Sequence, residues 1–186
     1  MNFRPAKESD IKNILVLQEK YLVTNMPESE KNQGFVTTPF SVEQIKFVIT
    51  QDCLFVAEAD DKIAAYVFVG TWDFFSQWKI FTLMAENLPN LKFENKALDK
   101  ITSFQYGPIC IDTDYRGQGV FEQLFETMRK TLNKQFPVGV TFINKLNKRS
   151  FEAHTKKLGL VVVDEFSFNQ NQYYTLAFRT DKVIVK

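Results

Sequence analysis

The stretch Ser103 to Leu132, SFQYGPICIDTDYRGQGVFEQLFETMRKTL, decides how this chain is read. Most residues from Phe104 to Ile111 are β-branched, aromatic or small, as a strand covered on both faces requires. Asp112, Thr113 and Asp114 mark a turn, and Arg116, Gly117, Gln118 and Gly119 lead into a helical pattern. Val120, Phe121, Leu124, Phe125, Met128 and Leu132 recur at three- and four-residue steps, which places them on one helix face.

Such a junction suits anion binding. The first N–H groups of a helix lack internal partners, and the helix dipole leaves positive potential there. Gly117 and Gly119 let the backbone approach a ligand closely, and Arg116 adds a guanidinium that can fork onto a phosphate. The bland alternative is an ordinary strand-to-helix turn. Two familiar phosphate motifs are excluded: GxxxxGK[ST] is absent, and Gly117 with Gly119 lacks the third glycine of GxGxxG.

The junction resembles the GNAT superfamily of acyl-CoA-dependent N-acyltransferases, whose signature [RQ]xxGx[GA] follows a strand and opens a helix. Here it stands as Arg116, Gly117, Gln118, Gly119, Val120 and Phe121, with Phe121 in place of the usual small residue. A second block, Asn147, Ser150, His154 and Leu158-Gly159, is similar to the family's Nxx[AS]xxx[YH] helix and its closing LG. It carries one extra residue between His154 and Gly159. The resemblance implies a mixed α/β fold, with a central, mostly antiparallel sheet of about seven strands flanked by helices and splayed at the acyl-CoA site.

The remainder of the chain fits that frame. Asn2 to Pro5 reads as a strand, and Ser9 or Asp10 as the cap of a helix through Ile11, Ile14, Leu15, Tyr21 and Leu22. Residues 23 to 40 read as a loop with a short helical turn, and by resemblance as the loop that selects the substrate. Ser41 and Gln44 form a capping box for a helix through Ile45, Val48 and Ile49. Leu54 to Ala59 and Ile63 to Gly70, joined by Asp60-Asp61-Lys62, make a hairpin.

An insertion at about 71–103 departs from the family, with Phe74, Trp78, Phe81 and Leu88 at helical spacing and a polar, irregular stretch from Lys92 to Lys100. It would roof the acceptor pocket, supply a homodimer surface or pack on the sheet, and packing is the default. Val140 to Ile143 is a strand, Asn147 to Leu158 a helix ended by Gly159, and Leu160 to Phe168 with Tyr173 to Arg179 a closing hairpin. Residues 1 to 186 are expected to form one domain.

Net charge is +1, which argues against nucleic acid as a partner. Lys145, Lys148, Arg149, Lys156 and Lys157 cluster beside the proposed site, where a solvated helix face is as good an account as phosphate binding. Cys53 and Cys110 lack metal spacing and suit core thiols of a reducing compartment. No stretch approaches the ~20 apolar residues that span a membrane. The expectation is a cytoplasmic protein with no metal and no membrane partner.

The resemblance implies acetyl transfer from acetyl-CoA to a primary amine of a small molecule or protein N-terminus. The backbone of Ile109, Cys110 and Ile111 would pair with the pantetheine arm and polarise the thioester. Arg116 to Phe121 would hold the pyrophosphate, and Asn147 would touch the arm. His154, the only histidine, takes the place of a tyrosine that protonates the leaving thiolate; a hydrogen-bonded structural histidine is the alternative. Tyr106 is a second candidate acid. Glu58 is a weak candidate base, and Cys110 is rejected as a nucleophile because the family transfers directly. A non-catalytic acyl-CoA sensor is the rival class.

Overall fold

A computed structural model describes residues 1–183. The chain runs β1 (Asn2–Pro5), α1 (Ile11–Tyr21), α2 (Val42–Thr50), β2 (Leu54–Ala59), β3 (Lys62–Gly70), α3 (Trp72–Phe75) and α4 (Lys79–Asn87). It continues through β4 (Lys92–Phe93), β5 (Lys96–Ala97), β6 (Ser103–Ile111), α5 (Val120–Leu132), β7 (Val138–Asn144), α6 (Lys148–Glu152), β8 (Val161–Phe168) and β9 (Asn171–Arg179). Seven strands form one sheet in the order β1-β2-β3-β6-β7-β9-β8. Among the described residues of this sheet, only β6 and β7 run parallel.

Alternation along the strands divides the core between two faces. Tyr66, Phe68, Cys110 and Val140 point toward α1 to α4, while Val67, Phe104, Tyr106 and Ile143 point toward α5. Val120, Leu124, Phe125, Met128 and Leu132 are buried on that second face, each contributing about 1.5–3 kcal/mol by leaving water. This packing fixes where α5 begins. Local signals fix several ends as well: Ser41 donates its N–H to Gln44 Oε1 at 2.8 Å, and Gln44 returns an N–H to Ser41 Oγ at 3.3 Å.

Four expectations need correction. Asp10 stands at the N-cap position of α1, but its side chain does not cap the helix; its carboxylate accepts the Lys7 N–H at 2.7 Å and two Arg4 hydrogen bonds, which hold it in the preceding turn. The insertion is two helices rather than one. Ser76 Oγ donates to Asp73 O and Thr82 Oγ1 donates to Ser76 O, so side chains compete with the helical ladder at the break. The segment from Lys92 to Lys100 is not irregular throughout: Glu94 and Asn95 adopt positive φ and turn a small hairpin that buries Phe93 and Leu98.

The fourth correction concerns the helix after Asn147. It is α-helical only through Glu152, and Ala153–Lys157 widens into a π turn. A π turn absorbs one extra residue in a helix, and this segment is where the sequence carries one more residue than the family pattern.

The sheet opens between β6 and β7. Their pairing covers only Ser103, Phe104 and Gln105 against Val138, Gly139 and Val140. At Gly107, φ is 104° and the register with β3 shifts, so the rest of β6 follows β3 while β7 follows β9.

Candidate active site

Backbone alternation decides what β6 presents to the opening. Asp112 donates its N–H to Ala64 O at 2.9 Å, which places Asp112 and Cys110 among the residues bonded toward β3. Ile109 and Ile111 therefore turn their N–H groups into the gap. Ile111 O accepts from Arg116 Nε at 2.9 Å, which leaves the Ile109 backbone and the Ile111 N–H as an unpaired strand edge. The Cys110 side chain is buried on the other face, and burial pushes its thiol up to about 12, a protonated and unreactive group at neutral pH.

The edge leads to the start of α5. Gly119 is its N-cap, in the left-handed region at φ 77°, and no side chain caps the helix. Gly117 has the same φ. A Cβ on either glycine would meet nothing within 4 Å, so internal packing does not demand them. What they do is keep a path clear to the uncapped N–H groups of Val120, Phe121 and Glu122. Glu122 is the one acid of that turn, and Lys157 Nζ pairs with it at 2.8 Å.

The strap 33–38 closes the opening from outside. Arg116 Nη1 donates to Gln33 O at 2.7 Å and Asn147 Nδ2 to Phe35 O at 3.4 Å. Arg116 thus lies between strap and strand, 5.1 Å from the Tyr21 ring centre. Both of its hydrogen-bond partners are carbonyls rather than carboxylates, and burial lowers its pKa from the ordinary value. A half-buried guanidinium without a carboxylate partner is a seat for an anion. Asn147 also accepts the Ser150 N–H at 3.2 Å, capping α6.

These groups enclose a cavity of about 340 Å³ lined by Ile109, Cys110, Ile111, Arg116, Gly117, Gly119, Val120, Phe121, Asn147 and His154. Of the residues expected to bind cofactor, Gln118 does not line it; its amide donates to Asp114 O at 2.9 Å and braces the turn from outside. The strap residues Gln33 to Val36, inside the loop 23–40 that the resemblance marks as substrate-selecting, line this cavity too, and Gln33 and Phe35 hold Arg116 and Asn147 through carbonyls that no motif specifies. Lys156 and Lys157 reach it from the π turn. Glu58, by contrast, lies on β2 in an ion pair with Arg4 at 2.9 Å.

His154 stands where this cavity meets a smaller one of about 70 Å³ that opens on the α1–α4 face. Its Nδ1 lies 2.7 Å from Ser150 O, and a carbonyl only accepts, so Nδ1 carries the proton. Nε2 is then an acceptor, and Tyr106 Oη at 3.1 Å donates to it. Phe121 packs edge-on against the imidazole at 5.0 Å. This enclosure lowers the His154 pKa to about 4, with desolvation the main cause. An imidazole that protonates a leaving thiolate needs a pKa near neutral, and aromatic burial that no motif encodes removes that property here.

No protein-family profile matches the sequence, and no curated protein matches it. Solved structures do match its fold. An N-acetyltransferase from Staphylococcus aureus Mu50 aligns with TM-score 0.65 and 14% identity, over 97% of this chain and 98% of that one. The yncA protein of Salmonella typhimurium, solved with its cofactor acetyl-CoA, aligns at 0.63 and 13% over 98% and 95%. An acetyltransferase of GNAT family from Streptococcus pneumoniae aligns at 0.62 and 12% over 96% and 98%. Strand order, the β6–β7 opening and these alignments lead to one conclusion: the chain has the fold of the GNAT N-acetyltransferases.

Proposed function

We propose that the chain is an acyl-CoA-dependent N-acyltransferase that moves an acetyl group from acetyl-CoA to a primary amine. The observation that carries this reading is the continuity of one cavity. An unpaired strand edge at Ile109 and Ile111 runs directly into an uncapped helix start at Gly119. An amide-bearing arm suits the first and a diphosphate suits the second.

When bound, acetyl-CoA supplies an activated carbonyl and a sulfur leaving group. Nitrogen–carbon bond formation then accompanies carbon–sulfur cleavage, with one proton lost from nitrogen and one gained by sulfur. The Ile109 N–H is the donor aimed at the developing oxyanion, a role worth roughly 3 kcal/mol. Arg116, Lys157 and the first α5 amides hold negative charge at the far end. Holding two reactants in line contributes on the order of 7–11 kcal/mol.

Tyr106 and His154 hold a proton between Oη and Nε2; both line the smaller cavity, and His154 reaches the larger one as well. Because the resting imidazole is neutral, His154 accepts before it can give. Tyr106→Phe should lower turnover about tenfold with little change in CoA affinity. It also leaves Nε2 a buried acceptor without a donor, so unfolding in urea should come about 1–3 kcal/mol more easily. Unchanged turnover in a folded variant would make the pair purely structural.

Arg116→Ala should weaken CoA binding by about 1.5–3 kcal/mol, read by calorimetry, and flatten its salt dependence. A steeper salt dependence in the variant would be the wrong sign. Release of free thiol from acetyl-CoA, assayed with a panel of primary amines, tests the activity itself. Tight CoA binding without release on any amine would move the chain to the acyl-CoA-sensing class.

A further inference from the structure

Gln105 is a polar residue with 1% exposure on β6, and the acyl-CoA cavity does not use it. Its side chain points to the α1–α4 face. Nε2 donates to Tyr106 O at 2.9 Å, and because a carbonyl only accepts, this bond fixes which way the amide is turned. Oε1 is therefore the other arm, and it is buried with no hydrogen-bond partner. An acceptor left so is destabilising unless something else fills the vacancy.

Gln105 lines the smaller cavity, together with Tyr106 and His154. Phe81 from α4 and Phe142 from β7 meet there at 5.3 Å between ring centres. The lining contains no Asp, Glu, Lys or Arg. An ammonium or carboxylate entering it would lose hydration with no counter-charge, whereas a neutral amine on an apolar stem would not.

We propose that Gln105 Oε1 accepts an N–H from the acceptor amine, and that this uncharged cavity admits monoamines on uncharged stems and rejects acceptors bearing a second charge. The inference rests on the acyl-transfer reading for the role of the bound amine. Its binding arm stands apart from turnover. In the folded protein the oxygen is an unpaired acceptor in the lining of a chamber that holds neutral polar and aromatic side chains but no charged one. The amine enters as the free base, the form able to attack a carbonyl.

Three four-carbon probes that differ only at the far end decide this: butylamine, 1,4-diaminobutane and 4-aminobutanoate. Calorimetry on the CoA-saturated protein should show butylamine binding at least about tenfold more tightly than either charged analogue. Gln105→Met, close in volume, should lose at least about tenfold in butylamine affinity while CoA affinity stays unchanged. Gln105→Leu is the second variant should the first not fold.

Equal binding of the charged analogues, or undiminished butylamine binding in the Gln105 variant, overturns the inference. So does absence of butylamine binding, even if other amines release thiol and thereby uphold the transfer reading. Butylamine binding of the expected pattern without thiol release would uphold the site and sink the transfer reading.

Discussion

Lowering the pH from 6.5 to 4 should cost the folded protein about 3 kcal/mol of unfolding free energy, through His154 alone. The native imidazole titrates at about 4 rather than at its ordinary 6.5. In that window the unfolded chain binds a proton that the native chain refuses. Unfolding is therefore proton-linked: stability is complete above 6.5 and is lost as pH falls toward 4. Urea unfolding at half-unit pH steps measures the slope.

The carboxylates with depressed pKa values, Glu58 and Glu94 among them, act in a lower range, from about pH 5 downward. Asp10 and Asp112 resist desolvation through Arg4 and Lys20, and their contribution fades only below the ordinary carboxylate value. In His154→Phe the carboxylate slope below about 5 should thus remain, while the slope between 6.5 and about 5 should vanish, the only histidine having been removed. A wild-type protein flat across that range would show an imidazole open to water, and with it a different geometry where the two cavities meet.

Gly119→Val should reduce CoA affinity more than about hundredfold, since two charge-assisted hydrogen bonds of ~1.5–3 kcal/mol each depend on close approach to the helix start. The effect on folding is smaller. A left-handed backbone at φ 77° penalises a branched side chain by about 1–2 kcal/mol, and no atom stands within 4 Å of the new Cβ. Affinity loss in a variant that still unfolds cooperatively separates the two effects. Full CoA affinity in that variant would mean the ligand does not use these amides.

How much of this was legible in the sequence depends on how local the cause is. Ser103 to Leu132 could be read because a strand period, a glycine turn and a helix period stand side by side in thirty residues. The Ser41–Gln44 box and the Asp60–Asp61 turn are local in the same way, with both aspartates at positive φ. Arg116 was found by motif, but its grip on Gln33 O spans 83 residues and involves a carbonyl that any residue would supply.

The state of His154 was hidden for a related reason. Phe121 and Tyr106 reach it from two different elements, and desolvation is a property of the assembled site. The extra residue after His154 could be counted, yet only the backbone shows it spent on a π turn. Gln105 is a different case. A glutamine inside a run destined for a sheet centre was visible from the start, and a polar residue in such a place asks for a partner.

Backbone amide chemical shifts on addition of CoA test the central claim most directly. The account predicts saturable shifts at Ile109, Ile111 and Gly117 to Phe121, with the Ala64–Asp112 pairing undisturbed. Saturating CoA that leaves those amides in place, or that perturbs a separate surface, would contradict it.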